Sequence, residues 1–158
     1  MQGEDGKAMF GDELFYNRVV TIFNKKVTVN ASLRGEEEWF PTVINNVRLL
    51  VSRGNNVMKS GLEAADSARL HILDAVSLAD DGKTYVSRIE FDALSDSDKL
   101  KHWTLDSDTN TFFVEGDVSS EEVTANFFEA MKKKHSNCYR VSNVDRFELI
   151  PHWEVWGK

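Results

Sequence analysis

Cysteine and proline are scarce in this chain, with one and two copies among 158 residues. The single cysteine, Cys138, excludes an internal disulfide and is typical of a protein kept in a reducing compartment. Its position beside Tyr139, where a predicted strand begins, favours a structural thiol over a catalytic nucleophile. The chain is therefore expected to hold its fold without covalent cross-links.

Basic side chains are also in deficit, because 19 Lys and Arg residues stand against 26 Asp and Glu residues. The net charge of -7 repels a phosphate backbone, and the longest basic run, Lys132–Lys134, is too short to offset that field. Nucleic acid is therefore not expected to be the principal partner.

Long apolar runs are missing as well. No window approaches the roughly 18 apolar residues that a membrane span requires, and residues 1–10 lack the charged-then-apolar pattern of a secretory signal. We therefore expect a protein that is made and kept in a cytoplasm and has no membrane partner.

The sequence signatures of catalysis and of metal binding are absent. There is no nucleophile elbow, no phosphate-binding glycine loop and no dinucleotide fingerprint. The four histidines are scattered, without the HxH or HExxH spacing of a metal site, at positions 71, 102, 135 and 152. We therefore predict a protein that is not an enzyme, with no catalytic residue, no metal ion and no cofactor.

Two acidic stretches only imitate cation sites. The triplet Glu36–Glu38 is typical of a solvated loop. The run Asp106–Asn110 begins like a calcium loop, but Thr111 stands where glycine is needed and Asp117 where a bidentate glutamate is needed. This run therefore favours a polar turn over a calcium site.

The chain does contain ample material for a β-rich core, since 41% of its residues are hydrophobic and 11% aromatic. Short segments that alternate and are rich in β-branched residues predict strands. They cover residues 18–23, 39–51, 68–73, 103–105, 111–114, 139–144 and 147–155. We expect 103–105 and 111–114 to form a hairpin, and 39–51 to be one long strand or two strands joined at Asn45-Asn46.

One helix is predicted near residues 120–134. Ser119 and Glu122 have the spacing of a capping box at its start. Apolar side chains then recur at helical spacing, at Val123, Phe127, Ala130 and Met131. The basic run at the end of this helix is explained by the helix dipole without any ligand.

The order of these elements indicates the fold class. Because there is no βαβ rhythm and no internal repeat, we predict a mainly β fold, an antiparallel barrel or sandwich of 7–9 short strands with one helix. Residues 1–11 are expected to be a flexible lead-in, and residues 12–158 a single β-rich domain.

Adjacent aromatic residues recur along the chain, for example at Trp39-Phe40, Phe112-Phe113 and Phe127-Phe128. In a strand, neighbouring side chains point to opposite faces, so one ring of such a pair enters the core and the other points outward. The outward ring belongs either to a second core or to an interaction surface.

The segment from Ser52 to Ser67 shows no clear periodicity. A structureless connection of this length is uncommon in a compact domain and is usually functional or disordered. We therefore expect a protein-contact loop, with a solvated surface loop as the alternative. Its candidate contact residues are Arg53, Asn55, Asn56, Met58 and Lys59.

The last ten residues are unusually apolar for a chain end and include two of the four tryptophans. Alternation assigns Trp153 and Val155 to one face of a strand, and His152, Glu154 and Trp156 to the other. Trp153 is therefore the predicted aromatic anchor that closes the fold.

Several segments together resemble a family of small proteins encoded in phages and prophages of Gram-positive bacteria. They are Tyr16 to Asn24, Pro41 to Val47, Gly61 to Ile72, Lys83 to Phe91, the turn Glu115-Gly116-Asp117, and His152-Trp153-Glu154-Val155 followed by Gly157-Lys158. The chain departs from that pattern in a polar insert between Asn30 and Glu38 and in Trp156, which stands where a small residue is expected.

The resemblance implies a setting and a class of function. Members of that family are encoded among portal, capsid and tail genes and are similar to head-completion or head-closure proteins. The implied function is that of a non-catalytic structural or assembly protein of the virion, assembled in the host cytoplasm. Its implied partners are portal or adaptor and tail proteins, together with further copies of the chain in a ring.

Two other functions stay open. One is a small-molecule or carbohydrate-binding module that uses an exposed Trp39 or Trp103 as a stacking platform. The other is a hydrolase whose catalytic residues meet only in the folded chain.

Overall fold

The structure is a computed structural model that describes residues 15–27, 37–58, 61–64, 66–107 and 110–158, with the backbone alone for 55–58 and 61–64. Its elements follow in chain order. They are β1 (Arg18–Lys25), β2 (Trp39–Ser52), β3 (Asn55–Met58), β4 (Gly61–Ala64), β5 (Ser67–Leu73), β6 (Leu78–Ala79), a 3-10 turn (Asp80–Gly82), β7 (Thr84–Tyr85), α1 (Arg88–Ala93), α2 (Asp96–Lys99), β8 (His102–Trp103), β9 (Thr111–Glu115), α3 (Phe127–Lys134), β10 (Cys138–Phe147) and β11 (His152–Gly157).

Six of the strands form a closed antiparallel barrel. Their order is β1-β9-β10-β11-β5-β2, and β2 pairs back onto β1 to complete the ring. Closure leaves none of these strands with a fully open edge, and the short β6 adds to β2 on the outside. The predicted fold class, a mainly β antiparallel barrel, is confirmed.

Strand β2 is long enough to serve two neighbours, because it spans 14 residues. Its first part pairs with β1 and its last part with β5. A bulge at Asn46 separates the two parts: Arg18 pairs with Val47 and Val19 with Asn45, so Asn46 has no partner across the ladder. Asn46 adopts a left-handed backbone (φ 59°), which asparagine tolerates better than most residues. The segment is therefore one bent strand rather than two.

The barrel interior is filled by side chains from alternate positions of its strands. The buried side chains of this first core are Val20, Ile22, Ile44, Val47, Ala68, Leu70, Ile72, Trp103, Leu105, Phe113, Tyr139, Val141 and Val155.

A second core lies outside the barrel, between its wall and helix α3. It contains Phe23, Trp39, Phe112, Val114, Phe127, Phe128, Met131 and Cys138. The ring of Phe112 stacks on Phe23 at 4.9 Å between centroids, whereas its neighbour Phe113 points into the barrel. For the pair Phe112-Phe113, the outward ring therefore belongs to a second core and not to an interaction surface.

Helix α3 is shorter than the sequence predicts, because it begins at Phe127 rather than near residue 120. Ser119 does not cap it: its hydroxyl donates to Asp117 Oδ1 at 2.7 Å. The carboxylate of Glu37, distant in sequence, accepts instead from the backbone N–H groups of Asn126 and Phe127, each at 3.2 Å. A negative charge is favourable at the N-terminus of a helix, which is the positive end of its dipole. The capping-box prediction was wrong because a tertiary contact supplies the cap.

Replacing Glu37 with Gln is expected to lower the free energy of unfolding by about 1 kcal/mol at pH 7, the usual value of a helix cap. Partial burial raises the pKa of Glu37, but hydrogen bonds from Trp39 and from the helix backbone outweigh it, so the pKa lies below the ordinary value of 4.5. The stabilisation is therefore present above about pH 4.5 and is lost as pH falls through the lowered pKa. Urea unfolding of both proteins at pH 7 and at pH 3 measures this.

The matched control for that substitution is Glu122→Gln, which changes the carboxylate that the sequence had placed in the cap. Glu122 is exposed, and a change of less than about 0.5 kcal/mol is expected. Equal losses for Glu37→Gln and Glu122→Gln would contradict the assignment of the cap to Glu37.

The hairpin predicted between 103–105 and 111–114 was wrong. Tyr85 pairs with Trp103 in parallel, and β9 lies between β1 and β10. The side chain of Asn24 explains the difference, since its Nδ2 donates to the carbonyl of Thr104 at 2.8 Å and its Oδ1 accepts from the Thr104 N–H. These buried bonds hold the segment after β8 against β1.

Among the described residues, no helix is long and apolar enough to cross a membrane.

Candidate interaction surfaces

A β-hairpin replaces the structureless loop that the sequence predicts between Ser52 and Ser67. Strands β3 and β4 pair antiparallel, with Asn55 opposite Ala64 and Met58 opposite Gly61. They follow directly on the pairing of β2 with β5, which ends at Ser52 opposite Ser67. The hairpin therefore extends the β2–β5 ribbon beyond one end of the barrel. The expectation of a structureless segment was wrong, because its backbone groups pair locally although its sequence shows no clear periodicity. Its function as a contact segment stays a prediction.

The base of this hairpin is anchored by Arg53. Its guanidinium donates to Asn137 Oδ1 at 2.6 Å and to Asp66 Oδ2 at 3.3 Å, and Asp66 Oδ1 also accepts from the N–H of Gly54 at 3.2 Å. Asn137 in turn donates to Glu115 at 2.7 Å. Arg53 thus links the hairpin to Asn137, which directly precedes strand β10. Its side chain therefore has a structural function within the chain, whether or not it also contacts a partner.

The other candidate contact residues lie on or beside the hairpin. Asn55, Asn56 and Met58 belong to β3, and Lys59 lies outside the described residues. In the described part of the chain, β3 and β4 pair only with each other. Each therefore presents one free edge, and a free edge can accept a further strand from another chain.

A second candidate surface lies at the opposite end of the barrel. The turn at 148–151 joins β10 to β11, and its Leu149 and Ile150 side chains are 96% and 64% exposed. This turn interrupts the single strand predicted over 147–155. It adjoins the end of β5, since Leu73 pairs with His152, whereas the hairpin adjoins the start of β5 at Ser67. Seven strand residues, or about 20 Å, separate the two surfaces.

Strand β11 lies between β10 and β5 along its whole length. Val155 is fully buried in the barrel, and Trp153 is half-buried at the barrel end, with its ring 5.5 Å from Trp103 and 4.9 Å from Tyr85. The guanidinium of Arg146 covers the Trp153 ring at 4.0 Å. Trp153 therefore completes an aromatic cluster at the mouth of the barrel.

The two tryptophans considered as exposed stacking platforms are buried. Trp39 packs edge-on against Phe112 in the second core, and its indole N–H donates to Glu37. Trp103 lies in the barrel core against Tyr85 and Trp153. The expectation that either tryptophan is exposed for stacking is therefore wrong.

Cys138 is buried in the second core, where burial raises the pKa of its thiol to about 12. The thiol is therefore protonated at neutral pH and has little thiolate to react.

Two of the four scattered histidines are brought together by the barrel. Glu154 pairs with His71 across β11 and β5, and His152 lies two residues away on the same face. Burial lowers the pKa of His71, so its ring is neutral at pH 7. Burial also lowers the pKa of His152, but its hydrogen bonds to Glu154 and to the carbonyl of Ile150 outweigh that effect and raise it. No local pattern indicates this cluster, because His71 and His152 are 81 positions apart in the chain.

Comparison with known proteins gives a family and nothing more specific. No curated protein matches the chain, and no solved structure matches it. The model of the family of unknown function DUF6751 matches residues 15–158, and the chain therefore belongs to that family.

Proposed function

We propose that this protein is a non-catalytic structural or assembly protein of a phage or prophage virion, located at the head–tail junction as a head-completion or head-closure protein. The observation that carries the proposal is the presence of two candidate contact surfaces at opposite ends of one barrel. The setting comes from the sequence resemblance, and the virion is assembled in the bacterial cytoplasm.

A protein that bridges two partners needs separate contact surfaces on a body that does not deform between them. A closed barrel with two packed cores supplies such a body, because close-packed interiors transmit displacement with little compression. The β3–β4 hairpin at one end and the turn at 148–151 at the other then face different neighbours. We assign them to portal or adaptor proteins and to tail proteins, without fixing which surface meets which partner.

The two surfaces differ in chemistry, which suits two different partners. The hairpin offers backbone hydrogen-bonding groups along its free edges, so strand addition is the expected mode of contact. The turn offers the exposed side chains of Leu149 and Ile150, which gain by burial against an apolar surface. Strand addition between neighbouring copies at the hairpin also provides a route to a homo-oligomeric ring.

Pull-down experiments with the portal, adaptor and tail proteins encoded nearby test this division. Replacing residues 55–64 with a short Gly-Ser linker is expected to abolish capture of one partner. The double substitution Leu149→Ser and Ile150→Ser is expected to weaken capture of the other at least about tenfold, which corresponds to 1.4 kcal/mol. Both variants are expected to melt within a few degrees of wild type, because neither change touches the two cores.

The matched control is Leu78→Ser, which removes an exposed leucine from β6, the short strand paired with Ile44 and Asn45 of β2. It is expected to leave both captures unchanged. If the hairpin and turn variants capture both partners as well as Leu78→Ser does, the proposed bridging function is wrong.

One observation favours a second candidate, a module that binds a small anionic molecule. An open groove of about 580 Å³ lies beside helix α3, and its lining combines three cationic side chains, Lys132, Arg140 and Lys158, with one carboxylate, Glu129. The guanidinium of Arg140 also lies 4.2 Å from the ring centre of Phe128. Screening anionic metabolites by thermal shift, with Arg140→Ala as the negative variant, tests this alternative.

A further inference from the structure

We propose that His71, His152 and Glu154 form a binding site for a divalent transition-metal ion, with Zn²⁺ as the ion that fits best. The three side chains lie on the outer face of the barrel, on the adjacent strands β5 and β11. The inference is independent of the proposed function.

The ligand atoms already converge. The Nε2 atom of His152 lies 3.0 Å from one carboxylate oxygen of Glu154, and the Nε2 atom of His71 lies 4.0 Å from the other. One ligand atom from each of the three side chains lies within 4.8 Å of the others. Ligands bound tetrahedrally to Zn²⁺ at about 2.1 Å are separated by about 3.4 Å. The ligand atoms therefore have to approach one another by up to about 1.4 Å to bind one ion.

The register of the strands explains why these three residues meet. Glu154 is directly opposite His71, and His152 lies two positions along β11, so all three share one face. Cross-strand neighbours in this arrangement are close enough for one ion to reach both strands. The barrel is rigid at this point because β11 is hydrogen-bonded on both sides, to β10 and β5.

The Nε2 atom of His152 faces Glu154 and is hydrogen-bonded to it at 3.0 Å, so an ion would bind this nitrogen by replacing that hydrogen bond. The Nδ1 atom of His152 lies 2.6 Å from the carbonyl oxygen of Ile150, which can only accept, so Nδ1 carries a proton and donates. A hydrogen bond from the second ring nitrogen to a backbone carbonyl is the usual support of a metal-bound histidine. The ring of Phe147 stacks on His152 at 4.8 Å and fixes its plane.

His71 supplies the second, independent observation. Its Nε2 atom is buried and has no hydrogen-bond partner among the described residues, although buried polar atoms are normally paired. This atom belongs to the same group of three ligand atoms. A metal ion bound between the three side chains would satisfy it.

Charges of both signs surround the site. Asp145 is opposite Glu154 on the neighbouring strand β10, so a second carboxylate lies on the same face. The closest arginine in register, Arg48 opposite His71, lies over the ring of Phe15. The side chains of His71, His152 and Glu154 are 13%, 16% and 19% exposed, which leaves the site open to solvent on one side. Two imidazoles and one carboxylate with an open position are a donor set that Zn²⁺ and Fe²⁺ accept.

An ion at this position would connect β11 to β5 and so strengthen the strand that completes the barrel. The open coordination position would be filled by water or by a donor atom from a partner molecule. The site therefore supplies a clip with one exchangeable ligand, and no reaction is assigned to it.

Calorimetric titration of the tag-free, chelator-treated protein with ZnCl₂ tests the site. We expect one Zn²⁺ per chain and a rise of about 5 °C in Tm with excess Zn²⁺. His71→Ala, His152→Ala and Glu154→Gln are each expected to weaken binding at least about tenfold and to remove the rise in Tm. The control His135→Ala changes a histidine that also faces a carboxylate, Glu121, and is expected to bind Zn²⁺ like wild type.

Circular dichroism of each variant without metal establishes that it is folded. Glu154→Gln is nearly isosteric, so it carries the test if a histidine variant unfolds. The site is excluded if wild type binds no Zn²⁺, or if the ligand substitutions leave binding unchanged. It is also excluded if His135→Ala lowers the affinity as much as His71→Ala does, because binding would then be non-specific.

Discussion

Removal of residues 152–158 is expected to abolish the cooperative fold. The loss is large because β11 is hydrogen-bonded on both sides, so its removal opens the ring between β10 and β5 and exposes the first core. The truncation also removes Val155 from that core and Trp153 from the aromatic cluster at the barrel mouth. The expected loss is the whole free energy of unfolding, about 5–15 kcal/mol for a domain of this kind. Circular dichroism during urea unfolding measures it.

The matched control removes the same length from the other end, residues 1–7. The family match begins at residue 15, so this deletion is expected to leave the unfolding transition unchanged. If the protein without residues 152–158 unfolds cooperatively and with the free energy of wild type, β11 does not close the barrel.

Replacement of Gly157 with Ala is expected to cost about 3 kcal/mol, at the upper end of the usual penalty for overpacking a core. A Cβ atom at this position would lie 2.7 Å from Cβ of Tyr139 and 3.0 Å from the ring of Phe113. Both neighbouring side chains are fully buried. The Cβ of Tyr139 is bonded directly to the backbone, so it cannot move away without a shift of strand β10. The free energy of unfolding in urea gives the effect.

Gly54→Ala is the matched control for this substitution. A Cβ at Gly54 meets nothing within 4 Å, and its backbone is not left-handed, so a change of less than about 0.5 kcal/mol is expected. Equal stabilities of Gly157→Ala and wild type would show that β11 packs less closely against the barrel than described.

The last strand illustrates which features a sequence pattern predicts and which it misses. Alternation correctly assigned Val155 to the inner face of the last strand, because period-two patterns are local. The resemblance placed a small residue at position 156, where Trp156 stands. Trp156 points outward beneath the guanidinium of Arg69, 5.2 Å from its ring centre, and the small residue that the core requires is the next one, Gly157. Which residue needs to be small depends on Phe113 and Tyr139, which are remote in sequence.

Strand existence was largely predictable, whereas partner choice was not. The strands at β1 and β5 were expected within two residues of their ends, because each has a clear run of β-branched or alternating apolar residues. Closure depends instead on long-range pairing, such as β1 with β9, which no local pattern encodes. The predicted hairpin between 103–105 and 111–114 failed for that reason.

The candidate sites also divide into features that the local sequence indicates and features that depend on long-range pairing. The unusual segment from Ser52 to Ser67 was visible in the sequence as a departure from periodicity, although its hairpin was not. The turn at Leu149-Ile150 was hidden inside a predicted strand, because apolar residues normally indicate burial. The cluster of His71, His152 and Glu154 depends on the register between β5 and β11, and it emerges only once the barrel is closed.

If the proposed function is right, the gene belongs to a phage or prophage, and its deletion there tests the central claim most directly. Electron microscopy of the lysate, with complementation by the wild-type gene, gives the result. The proposed function predicts that heads and tails accumulate unjoined, that infectious particles are lost, and that only the wild-type gene or the Leu78→Ser control restores them. Normal assembly of infectious, tailed particles without the gene would contradict a function at the head–tail junction.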